Sequence, residues 1–200
     1  LEGSVFIAGA AIQWLRDELG VITNAGESEQ IAMGLKDNGG VYLVPAFVGL
    51  GAPHWEPDAR GTLFGLTRGT SSSHIVRAAL EAMAYGTTEV LRGMEVDAKL
   101  DVEELRVDGG ASLNDWLMQF QADVASVPVR RAPIVETTAL GAAGLAGLEA
   151  GIWSTAEDFV QAQGEASHFE PGNHAAHRQD AMVGWDRAVR ATLAWARDRG

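Results

Sequence analysis

The chain contains no cysteine, so it can form neither disulfide bonds nor thiolate metal sites. Basic residues are also few: 15 Lys and Arg stand against 27 Asp and Glu, a formal net charge of −12 at pH 7. This balance argues against a nucleic acid or an anionic membrane as partner. No apolar run is long enough to span a membrane and the first residues lack the order of a secretory signal, so we expect a cytoplasmic protein. Neither GxxxxGK nor GxGxxG occurs, which disfavours P-loop and Rossmann folds.

Apolar residues, 46% of the chain, occur alternately in short uninterrupted runs and at helical spacing. This alternation predicts an α/β fold with a largely parallel sheet. Ser28 is predicted to cap a short helix, and the serines from Ser71 to Ser73 a long helix that reaches about Val96. The other predicted strands and helices are strands 3–7, 41–44, 105–107 and 127–129, and helices 8–19, 113–124, 138 onward and 174–199.

The most informative stretch is the predicted strand-to-helix turn from Asp108 to Asn114. Two glycines, Gly109 and Gly110, let the backbone approach a ligand because no Cβ stands in the way. The amino end of the following helix would offer free N–H groups to phosphate. Asn114 falls in the first turn, where its amide can cap the helix or bond a base edge. The turn indicates a nucleotide site, although such glycines also serve packing alone.

Two further patterns leave alternatives open. His174 and His177 have a spacing that can bind zinc, but a third ligand is not evident and an exposed helical face explains them as well. The Gly- and Pro-rich loop 49–61 carries Trp55 and Arg60, which suit either a domain or subunit contact or an anchor within the loop.

Several motifs together resemble the FGGY carbohydrate kinases of the actin-like ATPase superfamily, and within them the C-terminal half of bacterial glycerol kinases. The stretches that carry the resemblance are 6–17, 49–61 with its Gly-Leu-Gly-Ala-Pro-His-Trp sequence, 61–81 and 107–114. The resemblance implies an actin-like, ribonuclease H-like α/β domain with a mostly parallel sheet flanked by helices. Residues 1–200 would form one C-terminal nucleotide-binding domain, truncated at its N-terminal edge.

The resemblance also implies an ATP site at four positions. Gly9 and Gln13 match residues on the phosphate and ribose side, Gly110 a glycine against the nucleotide, and Asn114 a residue bonded to the adenine edge. Mg²⁺ would accompany ATP, but the matched positions include no metal ligand. The catalytic base, an Asp, and the glycerol contacts would lie in an absent N-terminal part, and Asp108 fits a structural or nucleotide-side role better than that of a base.

The function implied is ATP-dependent phosphorylation of glycerol to glycerol 3-phosphate, with this chain supplying the ATP-binding half and inactive by itself. A sister kinase acting on another sugar or polyol is the alternative enzyme. A non-catalytic nucleotide-binding or assembly module is the alternative of a different class. An unpaired sheet edge would favour a homo-oligomer.

Overall fold

The computed structural model describes residues 2–172 and 175–198 of the chain. The α-helices are α1 (Gly9–Asp17), α2 (Glu27–Met33), α3 (Ser72–Ala98), α4 (Asp115–Ala125), α5 (Thr137–Glu149), α6 (Ala156–Gln161) and α7 (Ala175–Arg197). The strands are β1 (Tyr42–Val44), β2 (Thr62–Phe64), β3 (Leu105–Val107), β4 (Val129–Arg131) and β5 (Ser167–Phe169). A short 3-10 helix, Gly110–Leu113, lies between β3 and α4. Among the described residues no helix is both long and apolar enough to cross a membrane.

Helix α3 is the centre of the fold. It begins at the predicted cap, where a capping box joins Ser71 to His74 and the Ser71 N–H donates to His74 Nδ1 at 3.1 Å. Every residue from Val76 to Tyr85 is buried, because α1, α2, α4, α7 and β1 all pack against this helix. The apolar core therefore surrounds α3, and packing against α3 fixes the positions of the other elements around this helix.

The strands form two small sheets. In the first, β1 and β2 pair antiparallel, with Leu43 opposite Leu63. In the second, β3 and β4 pair parallel, with Leu105 opposite Val129, and β5 adds antiparallel to β4. The α/β fold is as predicted, but the largely parallel sheet is not, since only one described strand pair is parallel. The reason is connectivity: α4 alone crosses from β3 to β4, whereas the paired helices α5 and α6 bring the chain back antiparallel.

Residues 3–7, predicted to be a strand, form none. No described strand pairs with them, so their apolar side chains are fixed by packing alone. A Cβ added at Gly86 of α3 would lie 3.5 Å from Val5, and one added at Gly3 would overlap the side chain of Val90. This extended segment lies along α3 and leads directly into α1.

Candidate functional site

A cleft of about 510 Å³ opens between α1, the start of α2, the middle of α3 and the turn from β3 to α4. Its volume is in the range of small-molecule sites. The four residues that the resemblance singled out, Gly9, Gln13, Gly110 and Asn114, all line it. They come from two segments far apart in the sequence, so the fold itself brings them to one place.

The glycines that line the cleft and the one next to it, Gly109, have different roles. A Cβ atom added at Gly9 or Gly110 would have no heavy atom within 4 Å, so both positions face open space. Gly109 instead adopts a φ of +78°, which side chains rarely tolerate. Gly109 therefore makes the turn after β3, and Gly110 leaves the backbone open to a ligand.

Asn114 is the N-cap of α4. Its Oδ1 accepts a hydrogen bond of 2.8 Å from the N–H of Leu117, as the capping alternative predicts. Its Nδ2 makes a longer contact of 3.4 Å with the hydroxyl of Ser28. An amide nitrogen carries two hydrogens, so this half-buried side chain keeps a donor that can serve a ligand in the cleft.

Ser28 does not cap α2, contrary to the prediction. It lies inside the helix, is 2% exposed, and its hydroxyl donates to the carbonyl of Ala25 at 2.6 Å. The cap position is Gly26, which has no side chain, and Oδ1 of Asn24, two residues earlier, accepts from the N–H of Glu27 at 3.2 Å. Because the Ser28 hydroxyl donates its hydrogen to Ala25, its oxygen can accept from Nδ2 of Asn114.

The amino end of α4 is filled by protein, so the predicted free N–H groups behind the glycines are not available. Oε1 of Glu29 accepts from the N–H of Asp115 at 3.0 Å and from that of Trp116 at 3.4 Å. A carboxylate at this position satisfies the helix end as a phosphate would. The sequence analysis missed Glu29, since its partners lie 86 and 87 residues further on and no local pattern signals them.

Helix α1 offers the open amino end that α4 lacks. No side chain caps it, and its first turn, which starts at Gly9, contains no acidic residue. Gln13 follows one turn later and is exposed. Arg16, one turn further, also lines the cleft and pairs with Asp17 at 2.6 Å, which holds the pKa of that carboxyl below its usual value. An anionic group is best placed at this end of the cleft.

The described residues do not fit a metal site. Within 2–172 and 180–198 no group of three or more His, Asp or Glu side chains could hold a metal ion. Glu29, a carboxylate of the cleft, is already engaged by backbone N–H groups.

Asp108 lies outside the cleft. Its Oδ2 accepts a hydrogen bond from the hydroxyl of Thr137, at the start of α5. Both residues line a separate cavity of about 410 Å³ beside β3 and β4. The contact ties the end of β3 to α5, which favours the structural alternative for Asp108 over the nucleotide-side one.

The remaining sequence candidates stand apart from the cleft. Loop 49–61 is irregular, and Arg60 donates to two carbonyls of the same loop at 2.7 and 2.9 Å. Trp55 is 72% exposed, so it is not a buried anchor. His174 and the side chain of His177 lie outside the described residues, and the zinc alternative is not decided.

Comparison with known proteins connects this geometry to a family. The model of the C-terminal domain of the FGGY family of carbohydrate kinases matches residues 1–150. Glycerol kinase 1 of Clostridium tetani is 53% identical over 98% of this chain, which corresponds to 39% of that protein. The chain thus spans about two fifths of the length of this relative.

Solved structures agree with this match. Glycerol kinase of Plasmodium falciparum with ADP superimposes with a TM-score of 0.82 at 34% identity, covering 92% of this chain and 37% of that one. Xylulose kinase of Rhodospirillum rubrum gives a TM-score of 0.73 at 21% identity, covering 94% and 38%, and at this identity shows the fold alone.

Proposed function

Because the chain belongs to the FGGY family of carbohydrate kinases, with residues 1–150 matching their C-terminal domain, we propose that residues 1–200 form the nucleotide-binding domain of a glycerol kinase. The observation that carries the proposal is the cleft, where Gly9, Gln13, Gly110 and Asn114 meet. A relative named glycerol kinase is 53% identical. A structural relative, also a glycerol kinase, was solved with ADP.

In this proposal the nucleotide lies across the cleft from α1 to α4. Its phosphates face the uncapped amino end of α1 at Gly9, where backbone N–H groups and the helix dipole favour negative charge. Gln13 contacts the phosphate or ribose side. The open backbone at Gly110 allows the nucleotide to lie close, and Nδ2 of Asn114 donates to the adenine edge.

The proposed reaction of the whole protein is phosphorylation of glycerol to glycerol 3-phosphate. A terminal hydroxyl of glycerol would attack the γ-phosphoryl group of ATP in line, and an Asp from the rest of the protein would accept the hydroxyl proton. Mg²⁺, held by groups outside this chain, would neutralise phosphate charge. This chain binds and orients the nucleotide, and phosphoryl transfer depends mainly on such positioning. We place the reaction in the cytoplasm, where ATP is made, and expect no turnover from this chain by itself.

Calorimetric titration with ADP and ATP, comparing the wild-type chain with Asn114→Ala, tests the nucleotide site. Loss of a buried hydrogen bond should weaken binding by about 1–3 kcal/mol. Absence of binding by the wild-type chain would contradict a preformed site.

A kinase assay with glycerol, with and without the remaining part of the protein supplied, tests the reaction. Glycerol phosphorylation by this chain alone would show that the base is not elsewhere.

Self-association is also part of the proposal. Strands β3 and β5 lie at the two edges of the three-stranded sheet. Unpaired strand edges readily pair with another chain. Sedimentation over a wide concentration range should therefore show oligomers, and a single monomeric species at every concentration would contradict this.

A further inference from the structure

A single buried arginine joins three of the helices around the cleft. Arg77 of α3 is 7% exposed. Its Nη1 donates to the carbonyl of Leu35 at 2.6 Å and to that of Ala32 at 3.2 Å, at and just beyond the carboxyl end of α2. Its guanidinium lies over the ring of Trp116 in α4, 5.0 Å from the ring centre. The same side chain thus contacts α2 and α4, the two helices whose amino ends line the cleft on its Asn114 side.

Glu81, the ion-pair partner of Arg77, is also buried and hydrogen-bonded. Glu81, one turn later and 3% exposed, accepts from Nε of Arg77 at 2.9 Å. Its other oxygen accepts from Asn38 at 2.7 Å and from the hydroxyl of Tyr85 at 3.2 Å. A buried ion pair of this kind often adds little net stability compared with apolar side chains. Its arrangement between α2, α3 and α4 therefore points to a role in fixing geometry.

Helix α2 needs such a support. It has only seven residues, too few for a helix to persist by its own hydrogen bonds. Its first turn contributes Ser28 and Glu29 to the cleft, and these residues contact Asn114 and the start of α4. At its other end, the carbonyls are held by Arg77. Fixing the carboxyl end of α2 thereby fixes the wall that faces Asn114.

We propose that Arg77 is a positioning residue for nucleotide binding: it does not line the cleft, but it holds α2 and α4 at the separation that a bound nucleotide requires. The inference rests on the proposed function. Arg77 acts through α2, so its loss should raise the dissociation constant of the nucleotide and loosen α2, while the rest of the fold persists.

The test compares the wild-type chain with the double variant Arg77→Met/Glu81→Met, which removes both charges and leaves no unpaired buried carboxylate. We expect the variant to unfold cooperatively, to bind ADP about tenfold more weakly in calorimetry, and to lose hydrogen-exchange protection at residues 27–33. Arg77→Lys keeps the positive charge but lacks the fork of donors, so this variant should also bind ADP more weakly than the wild type.

Two control variants separate positioning from general destabilisation. Arg92→Met removes an exposed arginine of the same helix and should change neither measurement. Val76→Ala opens the core beside Arg77 and should lower the melting temperature without weakening ADP binding. If the double variant binds ADP as the wild type does, or if Val76→Ala weakens binding equally, the inference is wrong. If the wild type does not bind ADP, the proposed function fails first and the inference falls with it.

Discussion

The carboxylate of Glu29 accepts a hydrogen bond of 3.0 Å from the backbone N–H of Asp115, 86 residues further along the chain. This bond joins the first turn of α2 to the first turn of α4. It also occupies the helix end that would otherwise attract a phosphate. The anionic part of a ligand is consequently directed to α1, and the side of the cleft near α4 is left for a neutral group such as a base.

Replacement of Glu29 by Ala should lower the free energy of unfolding by about 1 kcal/mol, as expected when a helix loses its capping acceptor. ADP affinity should fall as well, because the bond between the first turns of α2 and α4 is then lost. Urea denaturation and calorimetry measure the two effects. Glu29→Gln keeps an acceptor oxygen and should lose less of both.

Glu149→Ala is the matched control for Glu29, since Glu149 is an exposed glutamate at the end of α5. It should leave stability and ADP affinity unchanged. Equal losses in Glu29→Gln and Glu29→Ala would show that the negative charge, and not the acceptor, sustains the contact.

The two functions assigned to Asn114 can be separated by substitution. Asn114→Asp keeps the oxygen that caps α4 but loses the Nδ2 donor, whereas Asn114→Ala loses both. The Asp variant should therefore remain about as stable as the wild type, while the Ala variant loses about 1 kcal/mol. Both should bind ADP more weakly. Normal ADP binding by the Asp variant would exclude a ligand contact from Nδ2.

The parts of the site predicted from sequence are those encoded by neighbouring residues. The turn at Gly109 and Gly110 and the cap at Asn114 follow from local backbone preferences. These preferences can be read from the short segment that contains one strand, one turn and the start of one helix. Helix α3 was predicted for the same reason, since Ser71 and the apolar stripe lie within one segment. The roles of Gly9 and Gln13 came from the resemblance, because nothing local distinguishes Gln13 from any exposed helical glutamine.

The parts that were missed depend on contacts between distant segments. Glu29 and Arg77 bond groups 86 and 42 residues away, and a carboxylate or guanidinium on an amphipathic helix shows no sign of a buried partner. Residues 3–7 have strand composition, but none of the described strands pairs with them, so packing on α3 decides their structure. The parallel sheet was overpredicted because α5 and α6 together reverse the chain before β5.

Gly110→Ala tests whether the cleft needs an open backbone at this position. The added methyl group would meet no protein atom within 4 Å, so stability should be unchanged or slightly higher. The methyl group would enter the space proposed for the nucleotide, so ADP affinity should fall. Thermal unfolding and calorimetry on the same sample give both answers.

Gly65→Ala provides the opposite case for comparison. Gly65 has a φ of +77°, and a Cβ there would overlap the carbonyl of Gly40, so this variant should be strongly destabilised for reasons unrelated to the cleft. If Gly110→Ala is also destabilised, Gly110 serves the fold. If the variant binds ADP normally, the nucleotide does not lie against Gly110.

The acid sensitivity of α2 follows from Glu27, its first residue. Hydrogen bonds from the hydroxyl and the backbone N–H of Thr23 hold the pKa of this exposed carboxyl below its usual value. Because the folded pKa is lower than the unfolded one, the ionised form favours the folded state. This contribution is fully present above the unfolded pKa and is lost as pH falls through the folded one.

NMR titration of the Glu27 carboxyl should give a midpoint below the usual glutamate value, and this midpoint should rise in Thr23→Val. Thr138→Val, an exposed threonine of α5, should leave it unchanged, and a normal midpoint in the wild type would show that Thr23 does not stabilise the carboxylate.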